Sequence, residues 1–266
     1  MPSTLIISLS ALISLLPALA IPFTRSPARD WLFWLLLAPA VIGPLGWVAV
    51  EMGGRWHTDL SGALWVTVAA SMALFALISA TTVAGWRMLP LLLPYLLLLG
   101  ILATVLQEPA TDGLLGTAPS AWTQSHILLA VFAYGLLTLS AVAALAVFLQ
   151  ERGLKRKRPT RLTRLLPAVA EGERLQITLL TSAEILLGLG VATGMAVTFF
   201  ETGSLMSLDH KSVLSVLTFL LLGVLLFAHF RTGLRGRLAT RLVLVAFLLL
   251  TLAYPGVKFV TGVLAG

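Results

Sequence analysis

Apolar residues occur along this chain in long uninterrupted runs. Runs able to cross roughly 30 Å of hydrocarbon fall near 3–23, 31–50, 61–84, 88–106, 125–149, 175–200, 211–229 and 242–264. Each predicts a membrane-spanning α-helix, because in lipid the backbone N–H and C=O groups must be satisfied within the segment itself. The predicted fold is all-α, a polytopic transmembrane helical bundle of about eight spans in a single transmembrane domain, 1–266.

The polar connections between these runs alternate in charge. One set holds Arg25 and Arg29, then Arg87, then Arg152 through Arg174, then Arg231, Arg235, Arg237 and Arg241, which together make fifteen of the eighteen basic residues. The opposite set keeps only Arg55, Lys211 and Lys258. Because basic loops stay in the cytoplasm, the rich side is expected to be cytoplasmic and both termini non-cytoplasmic. The first run ends Pro17-Ala18-Leu19-Ala20, which resembles a signal-peptide cleavage site, but no positive charge precedes it and Arg25 and Arg29 follow it. It is read as a retained first span.

The longest basic connection, 151–174, is too polar to cross the bilayer. Its Leu162, Leu165, Leu166 and Val169 can form one apolar stripe of a helix lying on the inner leaflet. Its basic run either attracts anionic lipid or serves only as a topology determinant.

Composition sharpens this picture. The hydrophobic fraction is 58%, the charged fraction 11% and the mean hydropathy +0.99, all outside the range of soluble domains. A pI of about 10.6 raises nucleic-acid binding, but the cations sit in short loops and form no basic domain, so no nucleic acid is expected. There is no cysteine, which excludes thiolate metal sites, disulfide exchange and covalent haem attachment to a CxxCH motif of the protein itself.

With so few polar groups, those near span ends carry information. His57, His126 and His210 are expected on the outer side, and His229 at the inner end of the seventh span. Nineteen residues separate His210 from His229, about 28 Å along one helix, so they cannot share a metal. His126 and His210 open the fifth and seventh spans. They are either interfacial polar residues or axial ligands of one metal or haem iron, with Asp209 orienting a ring and Lys211 near a propionate.

Glu184 lies inside the sixth span, where it is either a proton or ion site or a neutral carboxyl bonded to a neighbouring helix. Gly188, Gly190 and Gly194 on that span permit close helix approach. Pro39, Gly43, Pro44 and Gly46 are expected to kink the second span, and Pro90 and Pro94 the fourth. No nucleophile–base pair, phosphate loop or two-carboxylate site is evident, so the chain is not expected to be an enzyme.

Two stretches carry a resemblance. The first joins His126 to Tyr134 (HILLAVFAY) with Gln150 to Arg158 (QERGLKRKR). The second runs from Asp209 to Ser215 (DHKSVLS) through His229 to Gly236 (HFRTGLRG) and Ala253 to Lys258 (AYPGVK). In both, the chain resembles the cytochrome c assembly protein family, the haem-handling superfamily of CcsA, CcmC and CcmF, and within it the small YpjD-like branch. The likeness covers 88–264, while the first three spans, 1–87, diverge and match only by topology.

The resemblance implies a bacterial cytoplasmic (inner) membrane protein that holds or presents non-covalent haem b at the outer face, with a partner membrane protein or cytochrome assembly component beside it. It implies an external haem ligand at His126, an inner haem-holding histidine at His229, and Tyr134, Trp122, Asp209 and Lys211 as residues around the ligands. His210 is the nearest candidate opposite His126, and His57 the second.

There are departures too. Haem-handling members carry a tryptophan-rich external segment ending Trp-Asp-Pro-Lys, but this chain has no tryptophan after Trp122. Phe199 and Phe200 begin the equivalent loop, and His210 occupies the proline position. The alternative function is therefore a non-catalytic membrane subunit that kept the fold, lost the platform and stabilises a partner membrane protein.

Overall fold

The computed structural model describes residues 2–24, 28–53, 59–107, 120–204, 209–234 and 236–256. Among these every regular element is helical: α1 Pro2–Thr24, α2 Trp31–Glu51, α3 Leu60–Thr81, a 3-10 turn Gly85–Met88, α4 Leu89–Val105, α5 Ser120–Lys155, α6 Arg161–Leu165, α7 Val169–Thr202, α8 His210–Thr232, α9 Arg237–Thr251 and a π-helical turn Leu252–Gly256. Seven of the described helical segments are long and apolar enough to cross a membrane. The eighth expected span corresponds to α9 with its π turn, and the rest of it lies outside the described residues.

The chain divides into two compact units, one of Met1–Leu114 with Leu149–Gly172, the other of Leu115–Phe148 with Glu173–Gly266. In the first, α3 is the enclosed helix, with Trp65, Met72 and Phe75 fully buried. Trp47 of α2 stacks on Trp65, ring centroids 5.5 Å apart, and its indole N–H donates to Ser8 Oγ of α1 at 2.8 Å. The Gln107 amide donates to the same oxygen. These polar contacts matter in lipid, where an indole or amide finds no water to bond.

The proline and glycine positions act through packing. Pro39 and Pro44 sit inside an unbroken α2. Pro90 stands in the first turn of α4 instead of kinking it, since no helical N–H is needed there. Gly43 abuts the Ser14 side chain of α1, and nothing lies near Gly46.

The 151–174 connection departs from the expected surface helix. The helix α5 runs on to Lys155, only one turn forms at Arg161–Leu165, and α7 begins at Val169. The Gln150 amide donates to the carbonyls of Thr163, Leu166 and Pro167, which draws Leu165 and Leu166 inward while Leu162 stays exposed. A side chain from the preceding helix therefore competes successfully with continued helix.

Gly43→Ala should lower thermal stability in detergent by about 1–3 kcal/mol, through overpacking against Ser14. Gly46→Ala should leave it unchanged or slightly raised. Equal melting temperatures for the two variants would contradict this packing.

Candidate functional site

The second unit carries the sequence-predicted chemistry. His126 lies in the second turn of α5, and its ring enters a gap in α7. A Cβ on Gly194 would stand 2.9 Å from His126 Cε1, so the ring occupies space that any other residue would fill. His126 Nδ1 bonds the Gly190 carbonyl at 2.9 Å, with Thr193 Oγ1 at 3.5 Å. A carbonyl only accepts, so Nδ1 carries the proton and Nε2 keeps a lone pair. Among the described residues Nε2 has no hydrogen-bond partner. A ring fixed through Nδ1–H···O=C, with Nε2 as donor atom, is the usual arrangement of a metal-ligating histidine.

Around it the sequence brings three aromatic rings together. Trp122 shares the His126 face of α5 one turn earlier. Its ring lies 6.4 Å from Phe200, which is 6.3 Å from Phe199, and all three are more than two-fifths exposed. The aromatic surface is thus contributed by two helices, which linear reading of the 199–211 loop missed. At the start of α8, Asp209 caps the helix by accepting from Ser212 N–H at 3.0 Å, which holds His210 and Lys211 in the first turn, exposed. The Lys211 ammonium acts electrostatically on the His126 ring, which brings the α8 N-terminus into its surroundings.

Tyr134 lies two turns further along α5 from His126. Its hydroxyl shares a 2.9 Å hydrogen bond with Thr251 Oγ1, and its ring lies 5.9 Å from Phe247, which fastens α9 to α5. His57 lies outside the described residues.

His229 sits in the last turn of α8. Gly233, in the left-handed conformation at φ +69°, ends the helix and turns the chain back. The Leu234 carbonyl then accepts from His229 Nδ1–H at 2.8 Å, which again leaves Nε2 as the lone-pair nitrogen. Glu173, Gln176, His229, Leu234, Gly236 and Thr240 line one shallow pocket. Glu173 and Gln176 were not singled out in the sequence. Gly190 and Glu173 lie on the same helix α7, seventeen residues or about 25 Å apart, so His126 and His229 belong to separate sites.

Glu184 of α7 faces Gly223 of α8, where a Cβ would stand 3.2 Å from Oε1. Its Oε2 is buried without a hydrogen-bond partner among the described residues, and neither His229 nor an arginine pairs with it there. One step along the same helix pair, Gly188 of α7 packs on Phe219 of α8. Among the described residues no group of three or more His, Asp or Glu side chains is placed to hold a metal ion.

The helices and the histidine cradle define an integral membrane protein with a ligand-ready imidazole at one end of its second unit. A profile described as cytochrome c assembly protein matches residues 49–264, and the chain belongs to that family. It is 54% identical over 271 residues, the whole of both chains, to an "Uncharacterized 28.8 kDa protein in nifR3-like 5'region" of Azospirillum brasilense. It is 29% identical over 184 residues to the inner membrane protein YpjD of Escherichia coli, covering 66% of this chain and 65% of that one. Protein HemX of Brevibacillus brevis is 27% identical over 196 residues, 72% of this chain and 69% of the relative. The YpjD likeness agrees with the branch that the motifs suggested.

Ring-nitrogen NMR of protein labelled with ¹⁵N-histidine should give protonated, pyrrole-type Nδ1 signals for both His126 and His229. A protonated Nε2 with a bare Nδ1 at His126 would contradict the bond to Gly190.

Proposed function

We propose that this protein holds non-covalent haem b at the outer face of a bacterial cytoplasmic membrane, with His126 as an axial ligand, and that its role is binding and presentation instead of catalysis. The observation that carries the reading is the His126 ring itself. It is held by Gly190 through Nδ1 in a gap left by Gly194, with Nε2 unengaged among the described residues. Burial of an imidazole in a glycine gap costs packing, and an iron bond gives that cost a return.

The remaining residues fit a porphyrin by their chemistry. The exposed Trp122, Phe199 and Phe200 rings offer an apolar face for the macrocycle. The Lys211 ammonium would suit a propionate, and His210 would be the candidate second iron ligand. Haem supplies the redox-active iron when bound, and the protein supplies the ligand, the orientation and the charge. His229, in its own pocket at the far end of α7, is the candidate for a distinct inner holding site. Membership of the cytochrome c assembly family and the likeness to the inner membrane protein YpjD support this reading.

The test is haem titration of the full chain in detergent, read by absorption. Wild type should develop a Soret band and a reduced-minus-oxidised difference spectrum. His126→Ala should lose the outer-site signal, and Gly194→Val should weaken haem binding roughly 10- to 100-fold by displacing the ring. Absence of any haem signal after addition would overturn the reading.

One observation favours a second reading. The chain has no tryptophan beyond Trp122, and His210 stands where the family's external segment has proline. A subunit that stabilises a partner membrane protein would co-purify with that partner in constant ratio and carry no haem.

A further inference from the structure

Two buried polar side chains meet beside His229 without bonding to the protein. The pocket there is walled by Glu173 and Gln176 of α7, His229 of α8 and Thr240 of α9, and it has room for about one water molecule. Gln176 and Thr240 are only 4% and 3% exposed. The Gln176 backbone carbonyl accepts from Ser140 Oγ at 3.1 Å. Its side-chain amide and the Thr240 hydroxyl, by contrast, have no hydrogen-bond partner among the described residues. Nor are their polar atoms sealed in the interior as Trp65 Nε1 and Ser71 Oγ are, so the little surface they keep faces the pocket that both residues line. Burying an amide and a hydroxyl unbonded is costly, and a small polar ligand removes that cost.

The four polar groups of the wall divide by role. His229 Nδ1–H is committed to the Leu234 carbonyl at 2.8 Å, so Nε2 offers only a lone pair. The Glu173 carboxylate, when ionised, also only accepts. The Thr240 hydroxyl donates, and the Gln176 amide supplies either sense. A water has two hydrogens to give and two lone pairs to receive, which answers this set. An anion fails the same comparison, because it would face both the imidazole lone pair and the carboxylate. Since the room is one water across, its occupant lies within reach of the groups that line it.

We propose that this pocket binds one water molecule, which donates to His229 Nε2 and bridges it to the Gln176 amide and the Thr240 hydroxyl, with Glu173 as the remaining acceptor. The bridge ties the end of α8 to α7 and α9 and so fastens the turn through Gly233 and Gly236. It also leaves the His229 lone pair engaged by an exchangeable molecule, so that an iron arriving there displaces a water and breaks no bond between side chains. The water site itself does not rest on the haem reading.

A crystal structure of the full chain without added haem, at a resolution that shows ordered water, tests this. Wild type should show a single peak at roughly 2.7–3.2 Å from His229 Nε2 and from a polar atom of the Gln176 side chain. Thr240→Val, which keeps the side-chain shape and removes the hydroxyl, should weaken the peak, and adding Gln176→Met should abolish it. Water-edited solid-state NMR in bilayers, with ¹⁵N-labelled glutamine, gives a second readout if the double variant does not fold. Polarisation should pass from water to the Gln176 side-chain amide in wild type, and more slowly in Thr240→Val. A wild-type pocket with no ordered peak would overturn the proposal, as would a peak or a transfer rate unchanged by Thr240→Val. A peak that scatters anomalously and disappears after treatment with EDTA would also overturn it, because the occupant would then be a metal ion.

Discussion

No water is available in the hydrocarbon to bond an open peptide group, and this one constraint shapes the molecule. It makes each spanning segment a helix, and it makes each polar side chain within a span look for a carbonyl. Thr67, Thr104, Thr138, Thr181 and Thr218 all donate their hydroxyls to the carbonyl four residues back. Ser61 and Ser140 reach carbonyls of other helices instead. Against that background a few buried atoms stand without partners among the described residues, including Trp65 Nε1, Ser71 Oγ and Glu184 Oε2. The cost of leaving them so is several times the worth of a bond in water, so they mark places where packing or function has outweighed satisfaction.

The His126 cradle follows the same logic from the other direction. A helix carbonyl has two lone pairs and spends only one on its own ladder, so Gly190 can accept from an imidazole as well. Space for the ring is the difficulty, and Gly194 supplies it, since a Cβ there would stand 2.9 Å from the imidazole. A Cβ on Gly190 would instead meet Ala130 N and Leu129 Cβ of α5 at 3.9 Å, so that glycine lies against the α5 backbone while its carbonyl holds the ring. On the neighbouring face of α7, Gly188 packs against Phe219. One helix thus uses its glycines for two different ends.

The spans were legible in the sequence because hydropathy over about twenty residues is a direct report of the solvent. Their ends agree with the described helices to within several residues, except at α5 and α7, whose polar ends continue the helix beyond the apolar runs; the end of the eighth span lies outside the described residues. What hydropathy does not register is the direction of each face. Gly190 and Gly194 were visible as a pair, but not that His126, more than sixty residues away, would fill the gap. Trp122 and Phe200 likewise meet only because α5 and α7 pack together. The short α6 was misread for a related reason: periodic leucines suggested a surface helix, while the long-range bonds of Gln150 pull the segment into a compact turn. Pro90 was misread by position, since a proline in a first turn ends nothing.

The central claim is that the His126 imidazole, seated between Gly190 and Gly194, is a haem ligand. Replacing it with glycine leaves a cavity of imidazole shape, which makes small-molecule rescue the most direct measurement. In haem-loaded His126→Gly protein, the account predicts an altered low-spin iron signal in electron paramagnetic resonance, restored to the wild-type form by added imidazole. A variant that keeps the wild-type signal without imidazole would contradict it.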